Sequence, residues 1–311
     1  QTYAIGIKEL WEINDDNLPL GTVIHSIGWP LYNKAYGGSF MYKLTNNIAS
    51  IGFVVGLDYK NPYLSPYQEF QSFKSHPKIS EYLKNGKRVS YGARALNEGG
   101  YQSLTKLSFP GGAMLGCEAG TLNVLKIKGT HTAIKSGILA AESYFELLKE
   151  GRQKNELTNY QTKFEGSSIY KELYNARNVR PGFKYGFFAG LINTFIDQKI
   201  LRGKAPWTIN HEKKDNETLH KKVNLKKIIY PKPDNKITFD RLTSLSFSGT
   251  NHKEDQPCHL VLKNKNVPIE KNLELFDSPE TRYCPANVYE VVKTESNHLK
   301  LQINFQNCLH C

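Results

Sequence analysis

Residues 284–311 read CPANVYEVVKTESNHLKLQINFQNCLHC. Within this stretch, residues 287–293 and 298–304 alternate apolar and polar side chains around Glu295-Ser296-Asn297, the pattern of two strands joined by a tight turn. Cysteines flank the expected hairpin on both sides: Cys284, followed by Pro285, and then Cys308 and Cys311 in a C-x-x-C. A Cys-Pro dipeptide remote from a C-x-x-C is half of a bacterial ferredoxin pattern, because closely spaced thiolates can face an iron-sulfur cubane while a distant one closes it. A further cysteine three residues beyond Cys311 would complete the set. Spacing alone leaves three readings open: a cluster, a zinc site, or thiols that hold no metal. His310 reads as an exposed residue rather than a ligand. Cys258 and Cys117, with no partner at metal spacing, read as small packing residues.

Working back from this end, residues 210–236 are polar and carry Lys213, Lys214, Lys221, Lys222, Lys226 and Lys227, with Pro231 and Pro233 closing the run. That composition predicts a linker and a domain boundary. Before it stands a short amphipathic run, Phe183, Tyr185, Phe187, Phe188, Leu191, Ile192, Phe195 and Ile196, interrupted by Lys184, Asn193 and Asp197. A helix is expected over 159–178. A longer one is expected over 130–149, with Ile134, Ile138, Ala141, Phe145 and Leu148 as its buried face and Thr130 as a suitable N-cap. Residues 93–120 read as a glycine-studded loop leading into that helix. Gly116, Gly120 and Gly129 ahead of a helix N-terminus can cradle a phosphate, and equally can form an ordinary turn. The other half of a dinucleotide site, G-x-G-x-x-G after a strand, is absent from the sequence. Either the cofactor idea fails, or the front of the protein lies outside this chain.

Nearer the start, residues 22–27, 39–44 and 48–57 read as strands, with a turn at Asn46-Asn47. Pro62, Pro66 and Pro77 divide residues 61–83 into short helices. The chain begins with Gln1 and has no charged-then-apolar leader, which leads us to expect a start other than the native one. Its 311 residues, 39% of them apolar, suit one large domain or two. No stretch reaches the 18 or so uncharged apolar residues of a membrane-spanning helix, which leaves attachment to one face of a bilayer open. A formal charge of +12 suits anionic lipid, an acidic protein or nucleic acid, and also fits a simple bias toward lysine. Five scattered cysteines do not make a secreted disulfide scaffold and point to a reducing compartment. No Ser/His/Asp or paired-carboxylate arrangement stands out.

Several longer runs resemble electron transfer flavoprotein:ubiquinone oxidoreductases. They are Tyr36-Gly37-Gly38-Ser39-Phe40, Val55-Gly56-Leu57-Asp58-Tyr59, residues 91–100 (YGARALNEGG), residues 126–143 with Lys128-Gly129-Thr130-His131, Ser248-Gly249-Thr250-Asn251-His252, Cys284-Pro285-Ala286 and residues 307–311 (NCLHC). They follow the family order along almost the whole chain. The resemblance implies an α+β fold: part of a two-segment FAD-binding domain and a ubiquinone-binding sheet domain, with a C-terminal ferredoxin-like [4Fe-4S] domain. It places the ubiquinone-binding sheet in residues 1–110, the second FAD segment in 111–150, a helical membrane-associated segment and linker in 151–230, and a truncated cluster domain in 231–311. The chain would then be the second half of its protein, inactive alone.

The same resemblance implies FAD held at Gly116, Gly120, Asn123, Gly129 and Thr130, and ubiquinone at Tyr36, Gly37 and Gly38. Cys284, Cys308 and Cys311 would be cluster ligands, and residues 183–201 a membrane-inserted helix. Cys117 stands where related flavoproteins often have an aspartate on the ribityl chain. Electrons would pass from reduced electron transfer flavoprotein through the cluster and FAD to ubiquinone, on the matrix face of the mitochondrial inner membrane or the cytoplasmic face of the bacterial one. Two rivals are a related FAD-dependent geranylgeranyl reductase and a basic zinc-containing nucleic-acid module. The first would not be expected to carry the full set of runs. Against the second, the aromatics lie in one apolar run rather than between the lysines, which sets nucleic acid aside as a partner.

Overall fold

The computed structural model describes residues 2–13, 18–45, 47–151 and 156–311. It divides into a sheet unit, Ile5–Ala95 with Asn216–Cys311, and a helical unit made of residues 2–4 and Leu96–Asp215.

Five strands form the sheet: β1 (Tyr3–Glu12), β2 (Val23–Ile27), β3 (Gly37–Thr45), β4 (Ile48–Gly56) and β5 (Lys87–Asn97), in the spatial order β2-β3-β4-β1-β5. The expected run from β2 to β4 is present as an antiparallel meander, with Ser39 opposite Phe53 and Ser26. Asn46, in the expected turn between β3 and β4, lies outside the described residues. The apolar sequence of β4 suits a position between two neighbours, since a central strand is covered on both faces.

Two short helices, α1 (Pro66–Lys74) and α2 (Pro77–Leu83), begin at their prolines as expected, because a proline at the first helical position gives up an N–H that would have no partner. The hydroxyl of Ser65 caps α1. Along α1, Tyr67, Phe70 and Phe73 are buried, and Phe70 and Phe73 stack on Phe53 of β4 at 6.3 and 5.4 Å. Strands β1 and β5 were not foreseen. The expected loop over 93–120 begins inside β5, which runs to Asn97.

In the helical unit, the two-residue strands β6 (Ser108–Phe109) and β7 (Gly112–Ala113) precede α3 (Thr130–Lys149). The expected buried face of α3 is corrected by the structure: Ile134, Ile138, Ala141, Phe145 and Leu148 are exposed, Ile134 by 59% and Phe145 by 57%. The inward side is instead Thr132, Ser136, Leu139, Ala140, Ser143 and Leu147. Small side chains admit close neighbours, and the hydroxyls of Ser136 and Ser143 bond back to the carbonyls of Ala133 and Leu139. The single helix expected over 159–178 is two, α4 (Thr158–Glu165) and α5 (Ser168–Asn175), parted at Gly166 where Ser167 caps the second. A short α6 (Val179–Gly182) leads to α7 (Phe187–Phe195).

Residues 210–236, expected as a linker, are largely irregular, and their second part is fastened to the sheet unit. The His220 N–H donates to the Lys60 carbonyl, and the Tyr230 hydroxyl donates to Glu69 at 2.8 Å. After α8 (Arg241–Leu245), the expected C-terminal hairpin is present as β8 (Tyr289–Lys293) antiparallel to β9 (Leu299–Ile303).

Candidate functional site

The base of the β8–β9 hairpin brings the three C-terminal cysteines into one region. Cys284 is buried with Ala286 and Val288 in a small core that Cys308 and Leu309 pack against. The loop is tied to β5: the Tyr91 hydroxyl donates to Pro285 O at 2.8 Å, and the Ala95 N–H donates to Cys311 O at 3.1 Å. From α8, the Arg241 guanidinium donates to the carbonyls of Thr281 (2.6 Å) and Cys284 (3.0 Å). Two backbone N–H groups aim at sulfur: that of Val288 at Cys284 Sγ (3.5 Å) and that of His310 at Cys308 Sγ (3.4 Å).

Burial pushes the Cys284 thiol up, against the N–H groups of Val288 and Ala286 and the charge of Arg241. Burial, then Cys284 and Cys308, push Cys311 up to about 11. Two thiols that resist ionising, Cys284 and Cys311, are the arrangement a cationic centre would relieve. His310 is exposed, as expected, and it packs against two histidines that sequence reasoning did not connect with the cysteines: its ring lies 4.6 Å from His259 and 4.9 Å from His252. Cys258 is exposed rather than packed, its thiol donating to Leu260 O, while Cys117 is half-buried.

In the helical unit, Gly116 and Gly120 open and close a tight turn that carries Cys117. Gly120 has φ +84, and a Cβ there would lie 2.4 Å from Ser103 O, so no other residue fits. The Gly116 N–H is held by Ser136 Oγ at 2.9 Å. Gly129, not Thr130, is the N-cap of α3, and it lends no side chain to the first-turn N–H groups. The end of this long helix therefore presents backbone donors and the positive end of its dipole.

Glu172 of α5 gathers the intervening loop. It accepts from Asn123 Nδ2 at 2.6 Å and His131 Nε2 at 2.8 Å, and pairs with Lys126 at 2.9 Å. Burial raises the Glu172 carboxyl, but these three donors outweigh it and hold its pKa below the usual value. Asn123 is itself buried, with its side chain engaged by Glu172 and the Lys126 N–H. Its amide shapes the loop.

Tyr36 precedes β3, which opens with Gly37 and Gly38. A Cβ on Gly37 would meet Val54 O at 2.1 Å, and one on Gly38 would meet Ser26 O at 2.5 Å. Packing between strands alone thus requires glycine at both positions. Tyr36 is half-buried, and its carbonyl accepts from the Gly56 N–H at 2.8 Å.

On α7 and the helical turns that continue it to Ile200, the amphipathic run turns its apolar side outward: Phe188 is 69% exposed and Phe195 60%, with Ile192 and Ile200 similarly bare. Its polar residues face inward. Asn193 Nδ2 donates to Asn178 O, and buried Asp197 accepts from Asn178 Nδ2 at 3.1 Å. Among the described residues no helix is long and apolar enough to cross a membrane.

Residues 3–96 match the family model described as "ETF-QO, ubiquinone-binding", and residues 235–311 match "Electron transfer flavoprotein-ubiquinone oxidoreductase, 4Fe-4S". The chain belongs to the electron transfer flavoprotein-ubiquinone oxidoreductase family. Relatives of that name include the mitochondrial proteins of Homo sapiens (52% identical; 100% of this chain, 52% of the relative) and Caenorhabditis elegans (53%; 100% and 54%). A Pseudomonas aeruginosa protein is 50% identical, with 100% of this chain and 57% of the relative covered. The chain spans about half the length of the curated relatives it matches.

For a member of this family, the donor set fits an iron-sulfur cluster. Three cysteines share one region, two of their sulfurs receive N–H donors, and the backbone around them is fixed to β5 and Arg241. The loop ahead of α3 likewise fits the phosphate of a dinucleotide, through bare N–H groups and a glycine turn that a side chain would fill. Cysteine spacing and glycine content were visible in the sequence. Glu172, Arg241 and His259 were not, because their partners come from other segments and no local pattern marks them.

Proposed function

We propose that the chain forms the cluster-bearing and quinone-facing part of an electron transfer flavoprotein-ubiquinone oxidoreductase, passing electrons from reduced electron transfer flavoprotein to ubiquinone. The observation that carries the proposal is the gathering of Cys284, Cys308 and Cys311 in one region tied to β5, within a chain whose two domain matches carry the names of a quinone site and a [4Fe-4S] site. When bound, the cluster and FAD supply one- and two-electron carriage.

The chain's own residues hold and tune. The three cysteines would ligate the cluster, with the N–H groups of Val288 and His310 lowering charge on sulfur. The first-turn N–H groups of α3, from Thr130 onward, would face the cofactor phosphate, with Gly129, Gly116 and Gly120 keeping the approach clear and Asn123, held by Glu172, fixing the loop. Tyr36, Gly37 and Gly38 would border the quinone ring, the glycines offering backbone without side chains. The bare face of α7 would lie in one leaflet and admit the isoprenoid quinone from lipid. By this reading, residues 1–110 carry the quinone, 111–150 complete the flavin site, 151–230 meet the membrane and 231–311 hold the cluster. The exposed apolar stripe of α3 would be covered by the rest of a protein about twice as long. The membrane is the inner one of mitochondria or bacteria.

The test is turnover by the intact protein. Anaerobically reduced electron transfer flavoprotein should be reoxidised on addition of a short-chain ubiquinone, one quinone per two electrons. Persistence of the reduced flavoprotein beside folded, cofactor-loaded enzyme would refute the proposal.

A further inference from the structure

The donor atoms of His259, Cys308 and His310 all lie within 4.8 Å of one another. Two imidazoles and one thiolate are the ligand set of a tetrahedral zinc-class ion that keeps its fourth position for water. The edges of such a tetrahedron, built from bonds of 2.0–2.3 Å, are about 3.3–3.7 Å, so the donors need to close by roughly 1 Å. His259 and His310 sit at the surface, where a side-chain rotation supplies that movement.

The third histidine holds the arrangement together. His252 Nε2 donates to Cys308 O at 2.8 Å, and its ring lies 5.7 Å from His259 and 4.9 Å from His310. That bond fixes the backbone of the thiol ligand. It is the kind of outer support that keeps ligands in place.

We propose that His259, Cys308 and His310 form a zinc-class divalent metal site, filled when Cys308 is not engaged in an iron-sulfur cluster. Binding converts the Cys308 thiol and a divalent ion into a metal thiolate and one released proton. Because one thiolate cannot serve both centres, occupancy of this site and assembly of the cluster exclude each other. The exclusion, but not the site, rests on the reading of Cys308 as a cluster ligand.

The test uses cobalt(II) as a spectroscopic stand-in for zinc, added to the intact protein prepared without iron. A visible tetrahedral cobalt spectrum is expected, with a thiolate-to-cobalt band of single-sulfur intensity that zinc abolishes. His259→Ala and, separately, His310→Ala should weaken binding by more than about tenfold, the loss already caused by removing an outer-shell partner. Far-UV circular dichroism should stay unchanged, and His259→Ala should load iron and sulfide as well as wild type. Unchanged cobalt affinity in both variants would overturn the site, as would a band of three- or four-sulfur intensity, which would put the ion on the cluster cysteines. Protein that binds cobalt in this way yet never takes up iron would contradict the cluster reading and leave the site standing.

Discussion

Replacing Glu9 by alanine should lower the unfolding free energy of the sheet unit by about 3–5 kcal/mol, the cost of stripping a buried ion group of one member. Glu9 and Lys74 are both fully buried. The Glu9 carboxylate accepts from Lys74 Nζ at 2.9 and 3.1 Å, from Arg88 Nη1 at 3.4 Å and from Trp11 Nε1 at 2.8 Å. Two cations thus share one carboxylate. The excess is spread over aromatic faces, with Lys74 5.1 Å from the Phe70 ring and Arg88 3.9 Å from that of Phe239. Without Glu9, both cations stay buried beside each other. Urea unfolding of the chain measures the loss, and a change below about 1 kcal/mol, the value of an exposed pair, would mean that water reaches the group.

The same group has a pH signature. Burial lowers Lys74 from its usual 10.5 to about 8, even with Glu9 beside it. Between those values the unfolded chain binds more protons at this position than the folded one, so the stability of wild type relative to Lys74→Met should rise as pH climbs through that window.

The second large effect is on membrane association. Phe188→Asp together with Phe195→Asp should release the intact protein from phospholipid vesicles. Burying each ring in the bilayer stabilises by roughly 1.5–3 kcal/mol, so the pair accounts for about a hundredfold or more in partitioning. Both rings are already in solvent and Asn193 and Asp197 anchor the other side, so folding should be unaffected. Arg202 and Lys204, exposed just beyond α7, are placed to meet anionic headgroups. Co-sedimentation decides: a double variant that still pellets with vesicles would move the membrane surface elsewhere.

What could be read from the sequence was what local chemistry dictates. Strand-prone runs around an Asn-Asn turn marked β2 to β4, period-two alternation marked the β8–β9 hairpin, and prolines marked the starts of α1 and α2. Strand β1 escaped because Glu9 stands at an inward position, where alternation calls for an apolar residue. Its partners, Lys74 and Arg88, are 65 and 79 residues away. In α3, hydrophobic spacing found a real stripe and assigned it to the wrong side, because periodicity shows that a helix has two faces and not which of them this chain covers. The break between α4 and α5 rests on the cap at Ser167, a short-range signal inside an otherwise helical pattern. At the candidate site, the cysteines announced themselves by spacing. Glu172, which gathers three groups lying 41 to 49 residues earlier, could be found only from the fold.

The central claim is that Cys284, Cys308 and Cys311 hold an electron-carrying cluster, and electron paramagnetic resonance of the intact, anaerobically purified protein during stepwise dithionite reduction tests it most directly. A reduced iron-sulfur signal is expected in wild type, absent from Cys308→Ala while flavin absorbance is retained. An undiminished signal in that variant, or no iron-sulfur signal in the wild-type protein, would contradict the account.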